Sequence, residues 1–235
     1  METKHKDSGI VSELFQAGAH FGFVRSRRHP STKPYIFGSK NRIEIFDLEK
    51  TSKSLEQAME FVRGLGAAGA PVLFVGGKGE ARSSVRSGAL TLGMPFVDGR
   101  WIGGTLTNFT QIRKRVMKLE ELTAQKEKGE LAKYTKRERL LIDKDIANLK
   151  RFFEGLIPMK EMPKALFIVD SKKEAIAVKE AHERGIPVIA LCGSDCDITA
   201  VDHAIPGNDA SVASISFIVG KITDAYKAGK ASVKK

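Results

Sequence analysis

Pro71-Val72-Leu73-Phe74-Val75, followed by Gly76-Gly77-Lys78-Gly79-Glu80-Ala81-Arg82, is the stretch on which the fold turns. Four consecutive apolar residues behind a proline, with valine at each end, predict a short strand covered on both faces. The glycines beyond it open the chain into a turn, and Ala81 to Leu92 has the pattern of a helix. A doubly covered strand feeding a helix is the repeating unit of a parallel sheet.

Outward from this unit the alternation recurs. Ile43 to Asp47 alternates apolar and polar residues, predicting a strand near a sheet edge. Thr51 to Ala68 predicts a helix through Leu55, Met59, Val62 and Leu65. Pro95 to Asp98 predicts another short strand. Further on, Ala165 to Val169 predicts a strand, Lys172 to Arg184 a helix, and Pro187 to Leu191 a strand after the turn at Gly185. Pro206-Gly207-Asn208-Asp209 is expected to cap a last helix reaching about Tyr226. The expected fold class is α/β, a doubly wound parallel sheet with helices on both faces.

Residues 105–156 interrupt this order without a strand of their own. Phe109, Ile112, Val116 and Leu119 are spaced by 3, 4 and 3 residues; Ile142, Ile146, Leu149, Phe153 and Leu156 by 4, 3, 4 and 3. Each is a narrow apolar seam, wide enough to pack one helix on another, so the segment reads as an inserted, protruding antiparallel hairpin. The body is then residues 8–104 and 157–228, and a basic tail, 229–235, is expected to be flexible.

Bulk composition narrows the function. A chain of 235 residues can bury one substantial core. A net charge of +11 and a pI of about 9.6 favour a polyanionic partner, nucleic acid or an acidic membrane surface. No apolar stretch approaches the roughly 18–20 residues needed to cross a bilayer, and no leader-like block follows the charged Met1 to Ser8. The two cysteines, Cys192 and Cys196, suit a reducing cytoplasm.

Catalytic constellations are weak. The Gly76-Gly77-Lys78-Gly79 turn resembles a phosphate loop but lacks the P-loop spacing, and Arg82 stands where a third dinucleotide-binding glycine belongs. A nucleotide-binding enzyme on this scaffold is therefore the alternative reading. His20, His29, His182 and His203 are scattered, and no nucleophile elbow occurs. Cys192, Cys196 and His203, with Asp195 and Asp197, do not match structural-zinc spacing, and the cysteines read as small residues in a polar turn. His20 reads as a packed histidine at a helix end. No catalytic set, cofactor or metal is expected.

Basic constellations are stronger. Phe21 to Arg42 reads FGFVRSRRHPSTKPYIFGSKNR, in which Arg25, Arg27, Arg28, Lys33, Lys40 and Arg42 alternate with Phe23, His29, Tyr35 and Phe37, with no acid before Glu44. Its glycines and prolines predict an irregular loop in which Tyr35, Ile36 and Phe37 anchor to the core. Guanidinium forks grip phosphates, rings stack on exposed bases, and hydroxyls reach 2′-OH groups, so the composition suits folded RNA. Residues 113–151 hold thirteen Lys/Arg against seven Asp/Glu. Arg113, Lys114, Arg115, Lys118, Lys136 and Arg137 are the candidate contacts, some of them expected to pair within a helix with Glu120, Glu121 or Glu138. Arg100 and Trp101 precede the hairpin; Trp101 reads equally as an RNA contact or as the hinge anchoring the arm.

LFQAGAHFG at 14–22, KPYIFGSKNRIEIFDLEKT at 33–51, RWIGGTLTN at 100–108, PKALFIVDSKKEAIAVKEAHERGIPVIA at 163–190 and IPGND at 205–209 resemble, in the same order, the bacterial small-subunit ribosomal protein S-two family. The resemblance runs from about Ser8 to Ala228. It implies a flavodoxin-like α/β domain with a protruding coiled-coil hairpin, and a structural, non-enzymatic constituent of the cytoplasmic small ribosomal subunit. It also implies binding to small-subunit rRNA and contact with neighbouring small-subunit proteins, ribosomal protein S-one among them. Neither a homo-oligomer nor a membrane partner is expected.

Overall fold

The computed structural model describes residues 3–233. Met1, Glu2, Lys234 and Lys235, the extremes of the charged N-terminus and of the basic tail, lie outside the described residues. Helix α1 (Thr3–Gln16) leads into a small antiparallel sheet of β1 (Phe21–Val24), β2 (Ile36–Lys40) and β3 (Ile43–Phe46), in the order β1-β3-β2. The strand expected at 43–47 is thus the centre of this separate sheet and not an edge of the parallel one. The supposed irregular loop is also more ordered than its composition implies. Two 3-10 turns, Arg25–Arg27 and Pro30–Tyr35, lead into β2, which pairs with β3 across Asn41 and Arg42. Both turn residues have positive φ, 52° and 67°, the backbone of a two-residue hairpin turn. Arginine in that conformation is uncommon, so the sequence does not announce the turn.

Asp47 then starts α2 (Leu48–Ala67) by accepting from Glu49 N and Lys50 N at 3.1 and 3.5 Å, three residues ahead of the expected start. The parallel units follow as β4 (Val72–Val75), α3 (Gly79–Leu92) and β5 (Phe96–Val97). Gly93, with φ 68°, ends α3 in the left-handed conformation that glycine adopts without strain. After α4 (Phe109–Glu127) and α5 (Lys136–Phe153) come β6 (Ala165–Val169), α6 (Ala175–Glu183), β7 (Val188–Cys192), β8 (His203–Pro206) and α7 (Val212–Ser232).

The five strands β5-β4-β6-β7-β8 form one sheet whose every ladder is parallel. Numbered by appearance among themselves, they run 2-1-3-4-5, consistent with a flavodoxin-like arrangement whose switch point lies between β4 and β6. Pro206 pairs with Cys192 at the end of an edge strand, where the missing proline N–H does little harm. The residues expected to cap the last helix instead close β8. The helix begins at Val212 and reaches Ser232, six residues beyond Tyr226 and into the expected flexible tail.

Side chains alternate across the sheet into two cores. Leu73, Val75, Leu166 and Ile168 face α6 and the bases of α4 and α5, whereas Val72, Phe74, Phe167 and Leu191 face α2, α3 and α7. Gly66 and Gly229 let α2 and α7 approach until a methyl on either would overlap the partner's backbone carbonyl, of Tyr226 and Arg63 respectively.

Candidate nucleic-acid interface

The segment from Arg25 to Arg42 is tied down by polar contacts to one buried serine. Phe23 N donates to Ser194 Oγ at 2.8 Å, while His29 N and the Thr32 hydroxyl donate to the Ser194 carbonyl at 2.9 and 3.0 Å. Gly22 passes so close to Ser194 that a Cβ would meet its Oγ at 3.0 Å. The segment's cations therefore project from a fixed backbone.

Arg28 does not project with them. Its guanidinium reaches Glu44 at 2.9 Å, and that carboxylate is only 1 % exposed, so the charge is spent within the fold. Arg25, Arg27, Lys33, Lys40 and Arg42 are exposed and have no carboxylate within 4.0 Å among the described residues. Arg27 lies 5.7 Å above the Phe23 ring. Tyr35 packs on the core as expected, but Phe37 is 81 % exposed and anchors nothing.

Trp101 is a second correction. It is buried, and its indole N–H donates to Glu180 Oε1 at 3.1 Å, so its ring is closed to RNA and the hinge reading is the one this burial supports. The same carboxylate accepts from Gly104 N (2.8 Å), Leu106 N (2.9 Å), Thr107 N (3.2 Å) and the Thr107 hydroxyl (3.2 Å). Burial works against its charge, but these donors together hold the Glu180 carboxyl below the usual carboxylate range. Arg100 beside it is exposed.

On α4 and α5 the buried residues Ile112, Val116, Leu119, Ile146, Leu149 and Phe153 belong to the same apolar cluster as the sheet face beneath them. Lys118 pairs with Asp145 at 2.5 Å and Lys126 with Asp143 at 2.6 Å, both across the two helices rather than within one. Arg113 lies 3.5 Å from Glu120 along α4, while Glu138 caps α5 with Thr135 and has no ion-pair partner among the described residues. Of the candidate cations here, Arg113 and Lys118 are thus compensated. Lys114, Arg115, Lys136 and Arg137 are exposed and have no ion-pair partner among the described residues.

The crevice at the β4/β6 switch point, where a nucleotide would bind this kind of sheet, has an internal ion-pair cluster in its wall. Lys78 Nζ lies 2.6 Å from Asp170 Oδ2 and 2.7 Å from Asp209 Oδ2. Gly77 N donates to Glu174 Oε1 at 3.1 Å. Gly76 and Gly77 are explained by crowding: a methyl would strike Val85 at the first, and Gly99 O and Glu174 at the second. Burial pushes the Asp209 carboxyl up to about 6 in spite of Lys78. Burial also opposes the Lys78 ammonium, yet Asp209 and Asp170 hold it above its ordinary value. Two carboxylates share Lys78, so its ammonium is already paired, while Arg27, Lys172 and Lys173 also border the crevice.

Asp170, Cys196 and Asp209 bring donor atoms within 4.8 Å of one another, but the Lys78 ammonium already stands against both carboxylates. Cys192 ends β7, whereas Cys196 lies in the polar turn that follows, its N–H donating to the Gly193 carbonyl at 3.2 Å; both are fully buried. The contact with Cys196 and the burial raise the Cys192 pKa well above its ordinary value. His20 is packed as expected, stacked on Phe15 with centroids 4.5 Å apart.

Fold and surface together define an α/β protein with exposed basic surfaces and no catalytic centre among the candidates weighed. The family model described as Ribosomal protein S2 matches residues 14–229. The chain is 45 % identical over 217 residues to the small ribosomal subunit protein uS2 of Roseiflexus sp., covering 92 % of this chain and 83 % of that one. To the proteins of the same name from Chloroflexus aurantiacus and Chloroflexus aggregans it is 43 % and 42 % identical over 215 residues, covering 92 % of this chain and 90 % of each of those. The chain belongs to the Ribosomal protein S2 family, and as a ribosomal protein it is not an enzyme.

Proposed function

We propose that this protein is a structural constituent of the cytoplasmic small ribosomal subunit that binds small-subunit rRNA and supports subunit assembly and translation. In this reading the body (8–104 and 157–228) carries α4 and α5 as a projecting coiled-coil arm (105–156). Two basic surfaces neutralise converging phosphates: Arg25, Arg27, Lys33, Lys40 and Arg42 on the segment fixed by Ser194, and Lys114, Arg115, Lys136 and Arg137 on the arm, with Arg100 between them. Each contact releases counterions, and the rigid body holds the contacted RNA helices in a fixed relation. Few residues are placed for base-edge readout, so recognition rests on RNA shape. Neighbouring small-subunit proteins, ribosomal protein S-one among them, complete the surroundings; no membrane or second copy is required.

The observation that carries this reading is the set of exposed cations lacking a carboxylate on a polar-anchored backbone. Replacing Arg25 and Arg27 with Ala is expected to weaken rRNA binding and to reduce the salt slope by roughly 0.7–0.9 per lost phosphate contact. An unchanged slope refutes the phosphate contacts. Co-sedimentation with small subunits through high-salt washes, abolished by RNase, tests the assembly role.

A further inference from the structure

The three-stranded sheet has a face that the body leaves uncovered. Residues directly opposite in an antiparallel ladder share a face. The pairs Phe21↔Ile45, Val24↔Ile43 and Lys40↔Ile43 therefore set Phe21, Val24, Lys40 and Ile43 on one side, with Glu44 and Phe46 buried on the other. The first side is apolar and open. Phe21 is 49 % exposed, Val24 40 % and Ile43 39 %, and Phe37, at the irregularity of β2, projects nearby. At one end Phe15 stacks on His20 with only 11° between the rings, and His20 lies 4.0 Å from the Phe21 ring. Burial lowers the His20 pKa, so near neutral pH its imidazole is uncharged and serves as ring surface. The three exposed phenylalanines among the described residues, Phe15, Phe21 and Phe37, all lie on or beside this sheet.

A cationic border accompanies the rings. Arg25, Lys40 and Arg42 are exposed, and Glu44, the one acid between Leu14 and Phe46, turns inward to Arg28. Exposed apolar patches on a soluble protein mark binding surfaces. Flat rings bordered by unopposed cations match one chemistry in particular, a nucleic-acid strand whose bases are free to stack while its phosphates run along the charges. A base-paired helix keeps its bases stacked on one another and offers the rings nothing.

We infer that this face binds unpaired nucleotides of RNA, with bases stacking on Phe21, Phe37 and the Phe15–His20 pair and phosphates meeting Arg25, Lys40 and Arg42. The inference rests on the rRNA-binding reading and adds to it the strandedness of the RNA and the rings that hold it.

The test uses the full chain in fluorescence anisotropy over a salt series, with a short labelled single-stranded RNA and the same sequence as a duplex. Phe21→Ala and Phe37→Ala are each expected to weaken single-strand binding about fivefold or more, with duplex binding and the salt slope unchanged. Phe37→Trp is expected to retain the affinity that Phe37→Leu loses, which separates stacking from general apolar contact. Phe37 is so exposed that its variants are expected to melt as the parent does. If both alanine variants bind single strands as the parent does while Arg25→Ala still lowers the slope, the platform is refuted and the rRNA-binding reading survives. If neither set of variants changes binding, both fall. Alanine variants that keep RNA affinity but fail to join small subunits assign the face to a protein neighbour, and that too overturns the inference.

Discussion

The indole nitrogen of Trp101 lies 3.1 Å from Oε1 of Glu180 and donates its hydrogen to it, joining the loop ahead of α4 to the side of α6. With the backbone N–H groups of Gly104, Leu106 and Thr107 on the same carboxylate, Glu180 organises the turn from which α4 departs. Glu180→Ala is expected to cost about 3–5 kcal/mol, because several buried donors lose their acceptor at once. The folded pKa of Glu180 is depressed, so its contribution is present above the unfolded carboxylate pKa and is lost as pH falls through the folded value. Urea unfolding of parent and variant across the acid range measures both effects; a parent–variant difference that does not shrink as Glu180 is protonated would contradict the second.

Lys78 is expected to be structural. Lys78→Ala leaves Asp170 and Asp209 buried beside each other without their cation, a change expected to cost about 3–5 kcal/mol. Titration calorimetry with nucleotides is expected to give no heat, since the ammonium that would meet a phosphate is already paired.

Asp209 supplies a pH signature of its own. Its folded pKa of about 6 lies above the ordinary 3.8, so between those values the folded chain holds a proton that the unfolded chain has released. This group therefore makes stability fall as pH rises through that window. Asp209→Asn is expected to flatten the pH dependence there, as measured by denaturant midpoints at a series of pH values.

On α4 and α5, charge pairing separates cations that look alike in sequence. Asp143→Ala with Asp145→Ala frees Lys126 and Lys118 at a stability cost below about 1 kcal/mol per exposed pair. The variant is expected to bind rRNA more tightly with a steeper salt slope, whereas Lys114→Ala with Arg115→Ala lowers both. Equal slopes in the two variants would show that the arm's cations do not meet phosphates.

The apolar seam between α4 and α5 is expected to hold the two helices together. Leu119 is 1 % exposed, and Leu119→Ala is expected to cost about 2–5 kcal/mol. Hydrogen exchange is expected to quicken along α4 and α5 and to stay slow in β4, β6 and β7. Uniform acceleration would mean that arm and body unfold as one unit.

The sequence by itself determined the elements whose pattern is set by burial alone. Val72 to Val75 and Ala165 to Val169 are apolar throughout because helices cover both faces of their sheet, and the seam from Ile112 to Leu119 is spaced by the turn of the helix. The blocks from Leu14 to Asp209 determined the family for the same reason, since each binds local geometry to particular residues. Tertiary structure alone decided what depends on partners distant along the chain. Pairing made Ile43 to Phe46 the central strand of its own sheet and His203 to Pro206 an edge strand of the parallel one. Contact decided which cations remain free: Arg25 and Arg28 stand three apart in one basic run, yet only Arg28 reaches the buried Glu44. It also decided that Trp101 is enclosed and Phe37 bare. Local periodicity records how much of a side chain must be hidden, while charge compensation and ring exposure depend on which remote group arrives beside it.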